Sequence, residues 1–530
     1  MGNWDAASAI VVDGAIRAAA EEERFTRVKH APGSLPTQAI RYCLKQAGLR
    51  IQDIDLVVFP GKTYRNITDR LREYFRFVHG HVPPIELCDH HEAHAAAAYF
   101  GSGFNEALVV TFDYSGDGAA TTISKASKGK LESLKRWPFP QSLGLFYALI
   151  TQHLGFDFGE DEYKVMGLAS YGKPDVDLSW LLEIRQGDYS LNDQALRKVE
   201  GGEPPLSTQE PLFTDFVIQH LGSPRLKWQE MGSAHQNLAA SAQAHLEKTV
   251  LELIKPYREK TGLRNLCLAG GVAMNCVMNQ KLTESGLFDQ VFIPPVASDN
   301  GLALGAALLA ASSVEKNPLP TLRTAAWGPE YSEAEMENAL REVGARCERV
   351  KDPAQIAAEL IASGQIIGWH QGRMEYGARA LGHRSILADP RIAEMKSRVN
   401  AVVKFREGFR PFAPSVTLEA AGEFFEKPCD SPFMTRTFDV KGAAREKIPA
   451  VTHADGTARV QTIDRATEPL YHQLVTEVGK RTGIPVVLNT SFNIRGQPIV
   501  ENPNQAISTF YGSGLDALLM GPFLLRKVAK

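Results

Sequence analysis

His90 and His94 stand four residues apart in Asp89-His90-His91-Glu92-Ala93-His94, at the head of an alanine-rich run that favours helix. On a helix that spacing puts both imidazoles on one face, where their nitrogens can share a metal ion. Carboxylates must complete the set. Asp113 ends the apolar run 107–112, and Asp299 lies in Ala297-Ser298-Asp299-Asn300-Gly301; these are the two expected to join. A histidine and carboxylate donor set points to a divalent cation, with iron(II) first by the two-histidine, one-carboxylate precedent and manganese, magnesium and zinc left open. The plain alternative is a pair of surface or helix-capping histidines.

Two further segments could hold phosphate. Leu268-Ala269-Gly270-Gly271-Val272-Ala273-Met274-Asn275 places paired glycines between an apolar strand and a helix. Such a turn lets main-chain N–H groups approach an anion at a helix N-terminus, and Gly270, Gly271, Asn275 and Asp299 are the nucleotide-binding expectation. Paired glycines also serve tight strand-to-helix packing alone. The last third is rich in arginine: Arg373, Arg379, Arg384 and Arg391, then Lys404, Arg406 and Arg410 in Lys404-Phe405-Arg406-Glu407-Gly408-Phe409-Arg410. Arginine's planar fork grips phosphate or carboxylate oxygens in pairs, so several around one site suggest a small polyanion. Leu488-Asn489-Thr490-Ser491-Phe492-Asn493 then ends a strand with hydroxyl and amide groups suited to a phosphate or a carbamoyl group.

These residues need an α/β frame. Apolar runs 9–12 and 16–20 flank Asp13-Gly14, a hairpin signal. Ile40, Cys43, Leu44 and Ala47 follow the helical spacing after Pro36, residues 56–59 read as a strand, and residues 67–78 as a helix. Residues 107–124 repeat the strand, acidic turn, strand pattern, which predicts a duplicated α/β core. The first copy lacks the leading strand of the second, so the chain start reads as short by one strand. Proline and glycine around residues 314–333 predict a domain boundary, with domains 1–325 and 335–530.

The bulk numbers fit a multi-domain enzyme. At 530 residues, with 44% apolar and 22% charged residues, the chain is neither disordered nor fibrous. A formal charge of −3 supplies no field for nucleic acid, and no apolar run approaches the roughly 20 residues of a membrane span. Six scattered cysteines without C-x-x-C spacing fit reduced thiols, hence a cytoplasmic protein. No membrane and no nucleic-acid partner is expected; a homodimer is compatible with the composition.

Seven blocks carry a likeness: residues 21–30 (EEERFTRVKH), the His90 to His94 segment, 162–168 (EYKVMGL), 270–275, 379–387 (RALGHRSIL), 410–414 (RPFAP) and 489–493 (NTSFN). In this order they resemble the nodulation-protein-U and cephem/aminoglycoside O-carbamoyltransferases over nearly the whole chain. The resemblance implies a duplicated actin-like (ASKHA) N-terminal region for carbamoyl transfer and a C-terminal α+β YrdC-like domain that activates carbamoyl phosphate. It makes His90, His94, Asp113 and Asp299 metal ligands. Lys404 and Arg406, with Ser491 and Asn493, become the paired elements that hold a carbamoyl adenylate, and Arg384 and Arg410 complete a carbamoyl phosphate clamp. One departure stands out: family members open with a strand and a His-Asp-Ala-Ser turn, whereas this chain has Trp4-Asp5-Ala6-Ala7-Ser8.

The implied reaction uses ATP and carbamoyl phosphate as co-substrates and delivers a carbamoyl group to the hydroxyl of a small molecule, a natural product or a sugar. His30, in the Lys29-His30 segment that the likeness places near the acceptor, is the candidate base; Lys404 and Arg406 serve the activation step. An actin-like sugar kinase or ATPase would cleave ATP at the γ-phosphate and needs no second anion site. A tRNA threonylcarbamoylation enzyme would need a basic face. No motif names the acceptor.

Overall fold

The computed structural model describes residues 5–198, 210–314 and 321–527. Its contacts divide the chain into two compact units. One comprises Leu56–Gly80 and Pro84–Pro320; the other comprises Met1–Asp55, His81–Pro83 and Thr321–Lys530, each within the described residues. The expected division at 325/335 therefore differs at its start, because the opening hairpin and the helix Thr37–Ala47 pack with the last third of the chain. Arg24 donates to Gly377 O at 2.8 Å and Glu21 accepts from Gly377 N at 2.8 Å. Arg27 reaches Pro498 O and Ile499 O, both at 2.7 Å. Glu21 and Arg24 are buried, so these bonds form where solvent cannot replace them.

The unit around Leu56–Pro320 is built on a five-stranded sheet in the order Gln290–Phe292, Asn265–Ala269, Glu106–Gly116, Ala119–Ser127, Lys130–Pro138. The first two strands run parallel to the central one and the last two form an antiparallel meander from it. This is the arrangement expected of one actin-like half. Two helices, His90–Ser102 and Leu302–Val314, pack closely on each other, and a Cβ on Gly305 would lie 1.9 Å from Ala93 O. Only glycine permits that approach.

The other copy of the pattern is divided. Ala7–Val12 pairs antiparallel with Ala15–Glu21 as a two-stranded sheet, and Val57–Pro60 pairs parallel with Ile85–Cys88 as another. They match the two flanks of the five-stranded sheet; among the described residues no strand corresponds to its centre. The hairpin belongs to one compact unit and the parallel pair to the other.

The unit holding Thr321–Lys530 carries an eight-stranded mixed sheet: Glu348–Arg349, Phe523–Arg526, Ala517–Met520, Ile367–His370, Arg384–Ala388, Val486–Ser491, Ala413–Thr417, Gln461–Ile463. Strand alternation sorts its side chains into two cores. Trp369, Leu387, Val487 and Leu519 pack with the helices Pro353–Ala362 and Pro469–Thr482. Ile386, Ala388, Leu488, Leu518 and Met520 pack with Glu333–Glu342 and Pro503–Tyr511. Helices on both faces bury the central strands, which explains why Ile367–His370, Val486–Ser491 and Ala517–Met520 carry apolar residues on both faces. No helix among the described residues is long and apolar enough to cross a membrane.

Candidate functional site

The histidine pair begins its helix. Asp89 caps the helix, accepting from His91 N at 2.8 Å and Glu92 N at 3.2 Å, while Glu92 returns a bond to Asp89 N. This capping box fixes the first turn, so His90 and His94 project together as the spacing predicts. Asp117 holds the same turn from outside by accepting from His90 N at 2.9 Å. A Cβ on Gly116 would lie 2.1 Å from the His90 ring, so this glycine makes room for the imidazole.

Asp113 and Asp299 meet that pair. His90 Nε2 lies 3.1 Å from Asp113 Oδ2 and 3.6 Å from Asp299 Oδ1, and His94 Nε2 lies 2.9 and 3.3 Å from the same atoms. The four ligand atoms all fall within 4.8 Å of one another. Burial pushes the Asp113 carboxyl up, but hydrogen bonds from His90 and His94 and their charge pull it well below the usual range. Burial and repulsion from Asp113 raise Asp299. Burial opposes charge on His94, yet the two carboxylates lift it to about 9. The buried Oδ1 of Asp299 lies beside the two imidazoles. Two mutually repelling carboxylates and two converging imidazoles are a set that a divalent cation satisfies better than protons do, so the residues fit the expected metal.

The glycine turn serves this cluster differently from expectation. A Cβ on Gly270 (φ 88°) would lie 2.0 Å from Phe112 O, and one on Gly271 would lie 3.2 Å from Asp113 Oδ1. Both glycines let the turn close onto the strand that carries Asp113. Asn275 caps the helix Cys276–Glu284 through Met278 N at 3.0 Å and exchanges bonds with Gln243. Its amide is engaged within the fold as a helix cap.

In the other unit, Lys404 is buried at the end of the helical turn Asn400–Lys404. Its ammonium faces Ser491 O at 2.5 Å, Asn493 Oδ1 at 2.7 Å, Asn493 O at 3.0 Å and Ser491 Oγ at 3.2 Å. The expected grouping of Lys404, Ser491 and Asn493 is thus assembled. Burial, with Arg406 and Arg410 nearby, holds the lysine well below its usual range. Arg406 stacks over Phe412 at 4.3 Å and donates to Asn400 Oδ1 at 2.9 Å; Arg410 lies 3.5 Å from Glu407.

Arg384 does not join them as a clamp. It is fully buried, and its guanidinium donates to the carbonyls of Gln371 (2.9 Å), Pro329 (3.0 Å), Gly372 (3.1 Å), Glu501 (3.2 Å) and His383 (3.3 Å). Carbonyl dipoles satisfy the fork as an anion would, and the sequence does not distinguish the two. Arg373 is likewise taken by Trp327 O at 2.6 Å, and Arg391 by Asp389 at 2.7 Å.

Sequence reasoning missed Glu375. This buried carboxylate accepts from Leu381 N (2.7 Å), Arg384 N (3.1 Å) and His383 N (3.3 Å), shaping the block that contains Arg384. It also missed His383, 3.0 Å from Glu468, which raises that imidazole against its burial. Neither carries a spacing signal. At His30, Asp5 Oδ1 lies 2.5 Å from Nδ1 and Glu23 accepts from the backbone N at 2.7 Å.

Residues 3–79 and 64–308 match the family description Carbamoyltransferase N-terminus, and residues 358–527 match Carbamoyltransferase C-terminus. The chain is 39% identical to nodulation protein NolNO of Sinorhizobium fredii over 99% of its own length and 79% of that protein. It is 43% identical to nodulation protein NolO of Bradyrhizobium diazoefficiens over 83% of its length and 79% of the relative. Among solved structures, HypF of T. kodakarensis aligns with 59% of the chain and 48% of its own, at 17% identity and a TM-score of 0.32. With both family descriptions matched in order and relatives of this identity along its length, the chain belongs to the carbamoyltransferase family and is a carbamoyltransferase.

Proposed function

We propose that the enzyme uses ATP to convert carbamoyl phosphate into a carbamoyl adenylate and transfers the carbamoyl group to a hydroxyl of a small molecule. The observation that carries this reading is the Lys404, Ser491 and Asn493 assembly with Arg406 and Arg410 beside it: a buried cationic group set against hydroxyl and amide groups, in a unit separate from the metal ligands. A phosphate of the substrate suits the planar forks of Arg406 and Arg410, which can pair with its oxygens.

The reaction balances as follows. Water releases inorganic phosphate from carbamoyl phosphate and leaves carbamate. A carbamate oxygen attacks the α-phosphorus of ATP, the α–β anhydride breaks, and pyrophosphate leaves. Arg406 and Arg410 hold phosphate charge during the first step, and Lys404 orients the carbamoyl end through Ser491 and Asn493. In the transfer step the acceptor oxygen attacks the carbamoyl carbon and AMP departs. His90, His94, Asp113 and Asp299 would hold a divalent cation, iron(II) by the donor set, which supplies positive charge for nucleotide phosphates. His30 is the base for the acceptor hydroxyl.

Product analysis tests the reading. AMP and pyrophosphate should form from ATP only when carbamoyl phosphate is present. ADP formed with a sugar, and without carbamoyl phosphate, would replace it with a kinase.

A further inference from the structure

Asp117 and Gly118 turn the hairpin between Glu106–Gly116 and Ala119–Ser127, both with left-handed backbone (φ 48° and 74°). That is ordinary turn chemistry, and Asp13-Gly14 repeats it with φ of 51° and 73°. The two aspartates differ in what their carboxylates do. Asp13 is exposed. Asp117 accepts from Thr63 N at 2.9 Å and Thr63 Oγ1 at 2.8 Å through Oδ1, and from Lys62 N at 3.0 Å and His90 N at 2.9 Å through Oδ2. The turn by itself requires none of these bonds.

Oδ2 is the bridging atom. It ties the first residue of the helix His90–Ser102 to the segment that leaves the strand Val57–Pro60. Gly61 N donates to Cys88 O at 2.9 Å, and a Cβ on Gly61 would lie 2.4 Å from the Tyr64 ring, so this segment folds tightly beside the strand that leads into the helix. Burial, then the charges of Asp299 and Asp117, raise the Tyr64 phenol, which sets the segment in the field of the ligand cluster. Arg136 lies 2.9 Å from both Asp89 Oδ2 and Asp117 O, and Lys62 lies 3.3 Å from Glu92, so the same first turn is gripped again by charge. Gly116 gives the His90 ring its room, with a Cβ there falling 2.1 Å from it. Adjacent residues of one hairpin thus hold the ring and the main chain of a single ligand, all within the unit around Leu56–Pro320.

We propose that Asp117 is a positioning residue for the metal site: its carboxylate locks the His90 backbone to the Lys62-Thr63 segment and so sets where that imidazole meets the cation. The inference rests on the reading of His90, His94, Asp113 and Asp299 as holders of a divalent cation.

Asparagine suits a left-handed turn as well as aspartate does, so Asp117→Asn keeps the hairpin. It replaces one acceptor oxygen with an amide NH2 that faces main-chain N–H groups, and the four bonds can no longer form together. The test titrates chelator-stripped full-length protein with cobalt(II), read by visible absorption. The parent protein should take up one equivalent per chain. Asp117→Asn should bind about tenfold more weakly, the low end of what loss of an outer partner of a metal ligand costs, and its absorption band should change in position or intensity. Thr63→Ala removes one bond to Oδ1 and leaves the bridging oxygen intact, so its affinity should stay within about twofold of the parent's, with the parent's band. Parent-like affinity and spectrum in Asp117→Asn would overturn the proposal. Equal weakening in both variants would mean general loosening of the fold and overturn it as well. Absence of cobalt(II) uptake by the parent protein would instead overturn the metal reading, and the role of Asp117 with it.

Discussion

The histidine and aspartate cluster and the lysine and arginine cluster answer to opposite rules. In the first, Asp113 and Asp299 repel each other inside the fold, and a cation, a protonated histidine or a proton on Asp299 must offset that. Buried anions are costly enough to declare a site. In the second, guanidinium groups have a cheaper partner everywhere, the backbone carbonyl: Arg406 donates to Pro411 O at 3.3 Å, and outside the cluster Arg384 and Arg373 are held by carbonyls in the same way. Converging carboxylates are thus stronger evidence of function than converging arginines.

That contrast can be broken by mutation. The largest effect is expected for His94→Ala: bound metal by elemental analysis should drop, and carbamoyl transfer should fall on the order of a thousandfold, because several kcal/mol of charge stabilisation depend on the ion. Full metal content in that variant would refute the ligand set. Arg384→Ala comes next, and it should act on folding rather than on binding. Removing a buried cation from several carbonyls should cost about 3–5 kcal/mol in a denaturant titration. A stable variant that has lost only carbamoyl phosphate affinity would return Arg384 to the clamp.

Arg406→Ala is the counterpart. It should lower carbamoyl-phosphate-dependent pyrophosphate release about tenfold, one charge-assisted contact of roughly 1.4 kcal/mol, while metal content stays unchanged. Loss of metal with it would mean the two clusters act as one.

The gentlest effect concerns pH. Burial depresses His153 and His453 from 6.5 to about 4. A histidine whose pKa is lower folded than unfolded contributes stability that is whole above the unfolded value, 6.5, and lost as pH falls toward the folded value. Chemical stability should therefore slope downward between about pH 6.5 and 4, and His153→Phe should flatten part of that slope. An unchanged slope would place the acid sensitivity elsewhere.

Much of this was legible beforehand, and the reasons are specific. The hairpin at Asp13-Gly14 and the helices Thr37–Ala47 and Ile67–His79 form where turn chemistry and spacing put them. His90, His94, Asp113 and Asp299 were legible because strand ends and helix starts deliver polar groups to one place. Arg384 misled because an arginine among glycines and prolines looks unpaired until the carbonyls around it are seen. At Asn275 the capping role was not legible, because a capping side chain and a ligand-binding one share a sequence context. The membership of residues 5–55 was illegible because it depends on single contacts far apart in the chain.

That last arrangement sets an order of events during synthesis. Arg24 finds its carbonyl 353 residues later, and Arg27 finds one 472 residues later. At roughly 5–20 residues per second, the ribosome leaves the opening hairpin waiting on the order of tens of seconds. The intervening unit, whose strands and helices lie within Leu56–Pro320, can close during that interval. Until Gly377 emerges, Arg24 lacks the carbonyl and Glu21 the main-chain N–H that they bind there, so nascent chains stalled before that residue should remain open to protease in their first strands after the middle of the protein has become resistant.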